Sequence, residues 1–265
     1  MYADLKEVEY VAKLYPTYVE RIGESEYGNP LYAFTTGEGG ILVSAGMHAR
    51  EHITTKVLLE VVKRTDVLSF PAISLVPLIN PDGVEISIRG ADKFSNREEL
   101  KKFNEDKDFS LWKANARGVD LNVNFDADWG KGRRNVFRPS SENYVGEYPE
   151  SEKESRAIAD FARKGFLATI SLHAKGEVIY YAYKNLDPDP ALNAIISKAC
   201  GYPLERSTGS AGGFKDWCVL KLGIPAYTVE LGDDRKTYTE LYEDIDDLAN
   251  KTYALIKACK EYYYG

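Results

Sequence analysis

The three histidines of the chain fall in two places: His48 and His52 in Gly46-Met47-His48-Ala49-Arg50-Glu51-His52, and His173 at the end of Ile170-Ser171-Leu172-His173. A catalytic zinc takes three protein donors from neutral imidazole and carboxylate and keeps a fourth position for water. His48, Glu51 and His173 supply such a set. Any one of these histidines alone reads better as a hydrogen-bonded structural residue; taken together they reverse that balance and carry the metal reading. A second reading of the first segment is His-x-x-Glu-His, in which two histidines one helical turn apart hold zinc and the glutamate between them acts as base. His48 follows the apolar run Ile41 to Ala45 directly, so a helix begins most naturally near Glu51 and leaves His48 in the turn before it. Both readings require zinc, and they differ in whether Glu51 or His52 is a ligand.

These residues need a frame that brings distant stretches together. Leu5, Val8, Val11, Ala12, Leu14 and Tyr15 recur at helical spacing up to Pro16. Leu31 to Thr35 and Ile41 to Ala45 read as two strands joined by Gly37-Glu38-Gly39-Gly40, the composition of a hairpin, and are therefore expected to be neighbours. A helix from Thr54 and a buried strand, Ala72 to Ile79, follow, and Asn80-Pro81-Asp82-Gly83 reads as a turn. Residues 90–145 are rich in charge, Asn and Gly, and read as long ordered loops with a short helix. Ser151 with Glu154 forms a capping-box pattern before an amphipathic helix to Lys164. Strands at Leu167 to Leu172, Glu177 to Tyr183 and Ala226 to Leu231 alternate with helices at Ala191 to Cys200, Phe214 to Leu222 and Leu241 to Ala258. Such interleaving predicts an α/β fold: one domain over residues 1–265, with a mixed, mostly parallel central sheet and helices on both faces. Both histidine segments follow strand ends, where ligands of open α/β sheets gather.

Composition narrows the partners. Among 265 residues, 34 Lys+Arg stand against 41 Asp+Glu, a net charge of −7 with no concentrated basic face, so neither nucleic acid nor an anionic membrane is expected as partner. Cys200, Cys218 and Cys259 are odd in number and lack metal-knuckle spacing, which points to a reducing compartment. The start, Met1-Tyr2-Ala3-Asp4-Leu5-Lys6-Glu7, lacks the basic and apolar stretches of a secretory signal. The apolar run Ile41 to Met47 is far short of the roughly 20 residues of a membrane helix. A cytoplasmic protein is the expectation.

Six segments in one order resemble the zinc carboxypeptidases related to pancreatic carboxypeptidase A: His48-x-x-Glu51, Asn80-Pro81-Asp82-Gly83, Gly118-Val119-Asp120-Leu121-Asn122-Val123-Asn124-Phe125, Ser171-Leu172-His173, Gly212-Gly213-Phe214-Lys215-Asp216-Trp217 and Tyr227-Thr228-Val229-Glu230-Leu231. The resemblance runs from the first predicted helix to the last, and the chain is similar to the catalytic domain without the family's inhibitory prosegment. It implies a Zn²⁺ cofactor held by His48, Glu51 and His173, with Glu230 as general base. It also implies a cation for the developing oxyanion. Ungapped counting puts Lys113 at that position, Arg117 lies close behind and is favoured here, and Arg50 is also available.

Departures from the family bear on substrate. Its exopeptidases grip the terminal carboxylate with Asn-Arg, whereas this chain reads Asn122-Val123, and a usual tyrosine is replaced by Thr208. Valine cannot provide bidentate recognition of a carboxylate. Lys215 stands where the family has the floor of the pocket for the departing residue, so it either attracts a carboxylate there or points into solvent. Lys175 and Glu177 add a charged pair after His173. Trp112 to Asn122 and Glu142-Asn143-Tyr144-Val145-Gly146 resemble the bacterial branch that cleaves γ-D-glutamyl bonds to meso-diaminopimelate, whose far end could meet Lys215 and Glu177. The expected partner is thus a peptide or muropeptide; the alternatives are a general carboxypeptidase preferring acidic C-termini and a non-catalytic zinc-containing peptide-binding domain.

Overall fold

The computed structural model of the chain describes residues 2–64, 66–105 and 107–265. In chain order the elements are Leu5–Leu14 (α1), Val19–Glu24 (β1), Pro30–Thr35 (β2), Gly40–Ser44 (β3), His52–Val62 (α2), Ile73–Val76 (β4), Pro81–Arg89 (α3), Arg97–Phe103 (α4), Lys153–Ala162 (α5), Phe166–His173 (β5), Val178–Tyr181 (β6), Pro190–Cys200 (α6), Leu204–Arg206 (β7), Phe214–Trp217 (α7), Ala226–Glu230 (β8) and Ile245–Tyr264 (α8). The eight strands form one sheet in the order β1-β2-β4-β3-β5-β8-β6-β7. Four of its seven neighbouring pairs are parallel, so the sheet is mixed and mostly parallel as expected.

Alternation along the strands sets the two faces. Ile41 and Val43 join Ile170, Leu172 and Val229 in a core with α1, α2, α6 and α8, while Leu42, Val76 and Ala226 meet α5 and α7 on the other side. The stretch from α3 through α4 to the following loop carries a core of its own around Ile86, Leu100 and Trp112, so this region is ordered structure rather than a linker.

Three expectations are corrected. β2 and β3 are not a hairpin: β4 lies between them, antiparallel to β2 and parallel to β3. The glycine-rich link spans that intervening strand. Asn80-Pro81-Asp82-Gly83 begins α3 rather than ending in a turn, because the Asn80 side chain caps the Gly83 N–H (2.9 Å) and Pro81 suits the first helical position. The Ser151–Glu154 capping box does not form; Ser151 Oγ donates to Glu152 Oε1 (2.7 Å), and Glu154 accepts from Glu26 N (3.2 Å).

The central strands β3, β5 and β8 are parallel neighbours, so their C-terminal ends lie side by side. Their pairing places Ser44 beside Ser171, and His173 beside Glu230. After β3 the chain turns at Gly46, whose φ of +62° and close quarters need glycine: a Cβ there would stand 2.5 Å from Thr55 Oγ1. Thr54 Oγ1 locks the turn by accepting from Gly46 N (3.0 Å) and donating to Glu51 O (2.8 Å). Asn80 Nδ2 donates to Met47 O (3.2 Å) and Ala114 O (3.1 Å), which ties the start of α3 to the His48 segment.

Candidate metal centre and its cleft

His48 has extended backbone (φ −90°, ψ 129°), a single 3-10 turn covers Ala49–Glu51, and α2 begins only at His52. The two histidines therefore never share a helical face. His52 turns away, with Nδ1 2.7 Å from Tyr242 Oη, and burial lowers its pKa to about 4. Glu51 is the residue that meets the other two.

His48 Nδ1 is 2.9 Å from Glu51 Oε1; His173 Nδ1 is 3.0 Å from Glu51 Oε2 and 3.0 Å from His48 Nδ1. All three side chains are buried. Two imidazole nitrogens facing each other beside a carboxylate form a donor set without a filling group of its own. Tetrahedral zinc with Zn–N near 2.0 Å needs donors roughly 3.3 Å apart. The observed spacing fits zinc, and the three donor atoms lie within 4.8 Å of one another. Burial opposes charge on Glu51, but the two imidazoles overcome it and hold the carboxylate well below its usual range.

The outer contacts aim the rings. His173 Nε2 lies 3.2 Å from Ser171 Oγ, and Ala174 N donates to Glu51 Oε2 (3.3 Å). Behind His48, Nε2 is 3.3 Å from Asp120 Oδ1, and Asp120 Oδ2 is 2.8 Å from Lys113 Nζ. Asp120 is fully buried, yet the charges of Lys113 and His48 outweigh that burial and hold it ionised. Asp120 lies within the Gly118 to Phe125 segment, but its neighbour His48 is 72 positions earlier, so no local spacing reveals the contact.

Glu230 ends β8 opposite His173 on β5. Burial pushes its carboxyl up to about 7, against the opposing pull of His173. Glu230 and Lys113 both line a cavity of about 610 Å³, together with Asn122, Val123, Lys215 and Asp216. Lys113 is largely buried, which disfavours its charge, but Asp120 raises its pKa so that the charge is kept.

The other expected site residues divide. Asn122 lines the cavity and its Oδ1 accepts from Phe214 N (3.0 Å). Lys215 is buried as the pocket-floor reading required, but Nζ already meets Asp216 Oδ1 (2.5 Å) and Ala182 O (2.5 Å), so its charge is spent internally. Arg117 does not line the cavity, and its guanidinium pairs with Glu147 (3.0 Å) on the outer loop, whereas Lys113 does line it. Arg50 lies outside the cavity lining and bonds Leu111 O and Glu142 (both 3.2 Å). Lys175 and Glu177 are not a pair at the cleft; Lys175 donates to Asp234 O (2.6 Å), and Glu177 is exposed, 3.7 Å from Lys251.

A family model described as zinc carboxypeptidase matches residues 5–209. The chain belongs to the zinc carboxypeptidase family, a family of Zn²⁺ proteins, and the matched span holds His48, Glu51 and His173 but ends before Glu230. It is 34% identical over 235 residues to gamma-D-glutamyl-L-diamino acid endopeptidase 1 of Lysinibacillus sphaericus, covering 80% of this chain and 59% of that protein. The chain thus spans less than two thirds of that relative's length. Among solved structures, bovine thrombin-activatable fibrinolysis inhibitor superposes with a TM-score of 0.78 at 24% identity, over 99% of this chain and 97% of the other. The murein-tripeptide amidase of Escherichia coli O157 gives 0.62 at 24% identity, over 89% and 91%. Both structures speak to the fold alone. Among the described residues, no helix is long and apolar enough to cross a membrane.

Proposed function

We propose that this chain is a zinc-dependent peptidase that hydrolyses the γ-D-glutamyl–diaminopimelate bond of bacterial cell-wall peptides. The observation that carries the peptidase reading is the meeting of His48, Glu51 and His173 beside Glu230 at the ends of adjacent parallel strands. Zinc held by those three residues supplies Lewis acidity toward the scissile carbonyl and lowers the pKa of water.

Glu230 is the general base. Its carboxylate takes the proton of the attacking water and returns it to the departing amine. Lys113, held charged by Asp120, faces the same cavity and is the cation for the developing oxyanion. Asp120 orients His48 and Lys113 together. Asn122 offers a polar contact to the substrate from the cavity wall.

The γ-D-glutamyl specificity is supported by the Lysinibacillus relative, whose name states that bond class, and by Val123, which leaves the cavity without an Asn-Arg clamp for an ordinary C-terminus. The test is a mass-spectrometric assay of the zinc-loaded protein on L-Ala-γ-D-Glu-meso-diaminopimelate and on C-terminally varied α-linked peptides. Release of diaminopimelate is expected; rapid trimming of α-linked peptides with none released would overturn the specificity and favour a general carboxypeptidase.

A further inference from the structure

The chain carries a net charge of −7, yet its cleft is lined by five cationic side chains against three carboxylates. Three of the five are already engaged: Lys113 by Asp120 (2.8 Å), Lys215 by Asp216 (2.5 Å), and Arg206 by Lys184 O (3.0 Å) with Asp187 at 3.8 Å. Arg133 and Arg134 remain, both exposed, with no carboxylate partner among the described residues. The next residue, Asn135, also lines the cavity, and its Nδ2 is buried without a hydrogen-bond partner.

These three consecutive donors sit on an anchored segment. Asn135 N donates to Gly132 O (3.1 Å), Val136 N to Asn143 O (2.9 Å), and Trp129 Nε1 to Val145 O (2.8 Å). Across the mouth, Arg133 Nε lies 3.9 Å from where a Cβ on Gly209 would stand, so the guanidinium reaches the facing loop. Three consecutive donors that line one cleft suit an anion there, and paired guanidiniums match carboxylate geometry.

We propose that Arg133, Arg134 and Asn135 form a carboxylate-binding edge of the cleft, which selects peptides carrying free carboxylates close to the cleaved bond. The inference rests on the peptidase reading only for the ligand being a peptide. The two guanidiniums left without a carboxylate partner also attract such substrates, an effect that salt weakens.

The test uses zinc-loaded protein carrying E230Q, which binds without turnover, titrated calorimetrically with L-Ala-γ-D-Glu-meso-diaminopimelate and with the same peptide fully amidated at its carboxylates. Adding R133A and R134A is expected to weaken binding of the acidic peptide by roughly 10- to 100-fold, the loss that goes with charged hydrogen bonds. The amidated peptide should change by less than about twofold, and R133K with R134K should recover part of the loss at low salt. Equal losses on both peptides, no loss, or no measurable binding of the acidic peptide to E230Q overturns the edge.

Turnover then separates this inference from the function above. If protein with native Glu230 cleaves the γ-linked peptide equally well with and without the two arginines, the edge fails and the function stands. If it cleaves only α-linked acidic peptides, with the same arginine dependence, the function fails and the edge stands.

Discussion

Asp120 stands behind His48, its Oδ1 3.3 Å from Nε2, while Nδ1 of the same ring faces Glu51. A carboxylate behind a ligating imidazole fixes the ring and raises its basicity. D120N is therefore expected to weaken zinc binding by about 10- to 100-fold. Competition with a chromogenic chelator measures this directly, and an unchanged zinc affinity would remove Asp120 from the metal's support.

In the proposed reaction Glu230 acts on the proton and not on the metal. E230Q should lower kcat by roughly 10²- to 10⁴-fold, the range of a positioned acid–base group. Its zinc content, measured by atomic absorption, should match that of the native protein. Retained turnover would count against the assignment.

Zinc binds the folded chain alone, so it stabilises by mass action. At a free zinc concentration of 1,000 Kd the gain is about 4 kcal/mol. Chelation should lower Tm accordingly, and H173A should abolish the zinc-dependent part of the shift. A Tm indifferent to zinc would exclude His48, Glu51 and His173 as a site of useful affinity.

Glu154 is a buried acid among acids: it shares Asn115 Nδ2 with Glu152 and feels the charges of Asp82 and Glu152. Burial first, then those charges, raise its pKa to about 8. The folded state therefore holds a proton that the unfolded chain releases from about pH 4.5 upward, and stability falls as pH rises from there to about 8. E154Q removes this dependence. Its Tm should exceed that of the native protein at pH 8.5, with the gap closing below about pH 4.5. A gap independent of pH would show that Glu154 is not protonated in the fold.

Gly46 tests how tightly the first ligand segment is built. G46A places a methyl group 2.5 Å from Thr55 Oγ1 and 2.8 Å from Leu78 Cδ1 at a φ of +62°. The backbone strain alone costs about 1–3 kcal/mol, and the overlap adds to it. Urea unfolding should register that loss, together with weaker zinc binding as His48 shifts. An unperturbed urea midpoint would mean that the turn relaxes freely.

The parts of the site readable in the sequence were those with a local cue. His48, His173 and Glu230 each close an apolar run, so a strand end could be assigned to each before any pairing was known. What failed was pairing between distant segments. Gly37 to Gly40 has hairpin composition, but Ile73–Val76 inserts between the two strands it joins, and no short window contains that fact. Lys113 and Arg117 are four positions apart, and buried Asp120 holds the first while Glu147 holds the second, a division that no local spacing reveals. Lys215 differs: its partner Asp216 is the next residue, so its internal neutralisation had a cue in plain sight.

β8 is the last strand in the chain, yet it lies between β5 and β6, both made earlier. Until residues 226–230 arrive, the two strands flanking that slot lack the partner they have in the finished sheet. Unpaired edges are templates for misassociation and targets for degradation. A chain cut short before this strand would thus lack the acid at position 230 and expose sticky borders at once, which couples hydrolytic competence to completion of the polypeptide.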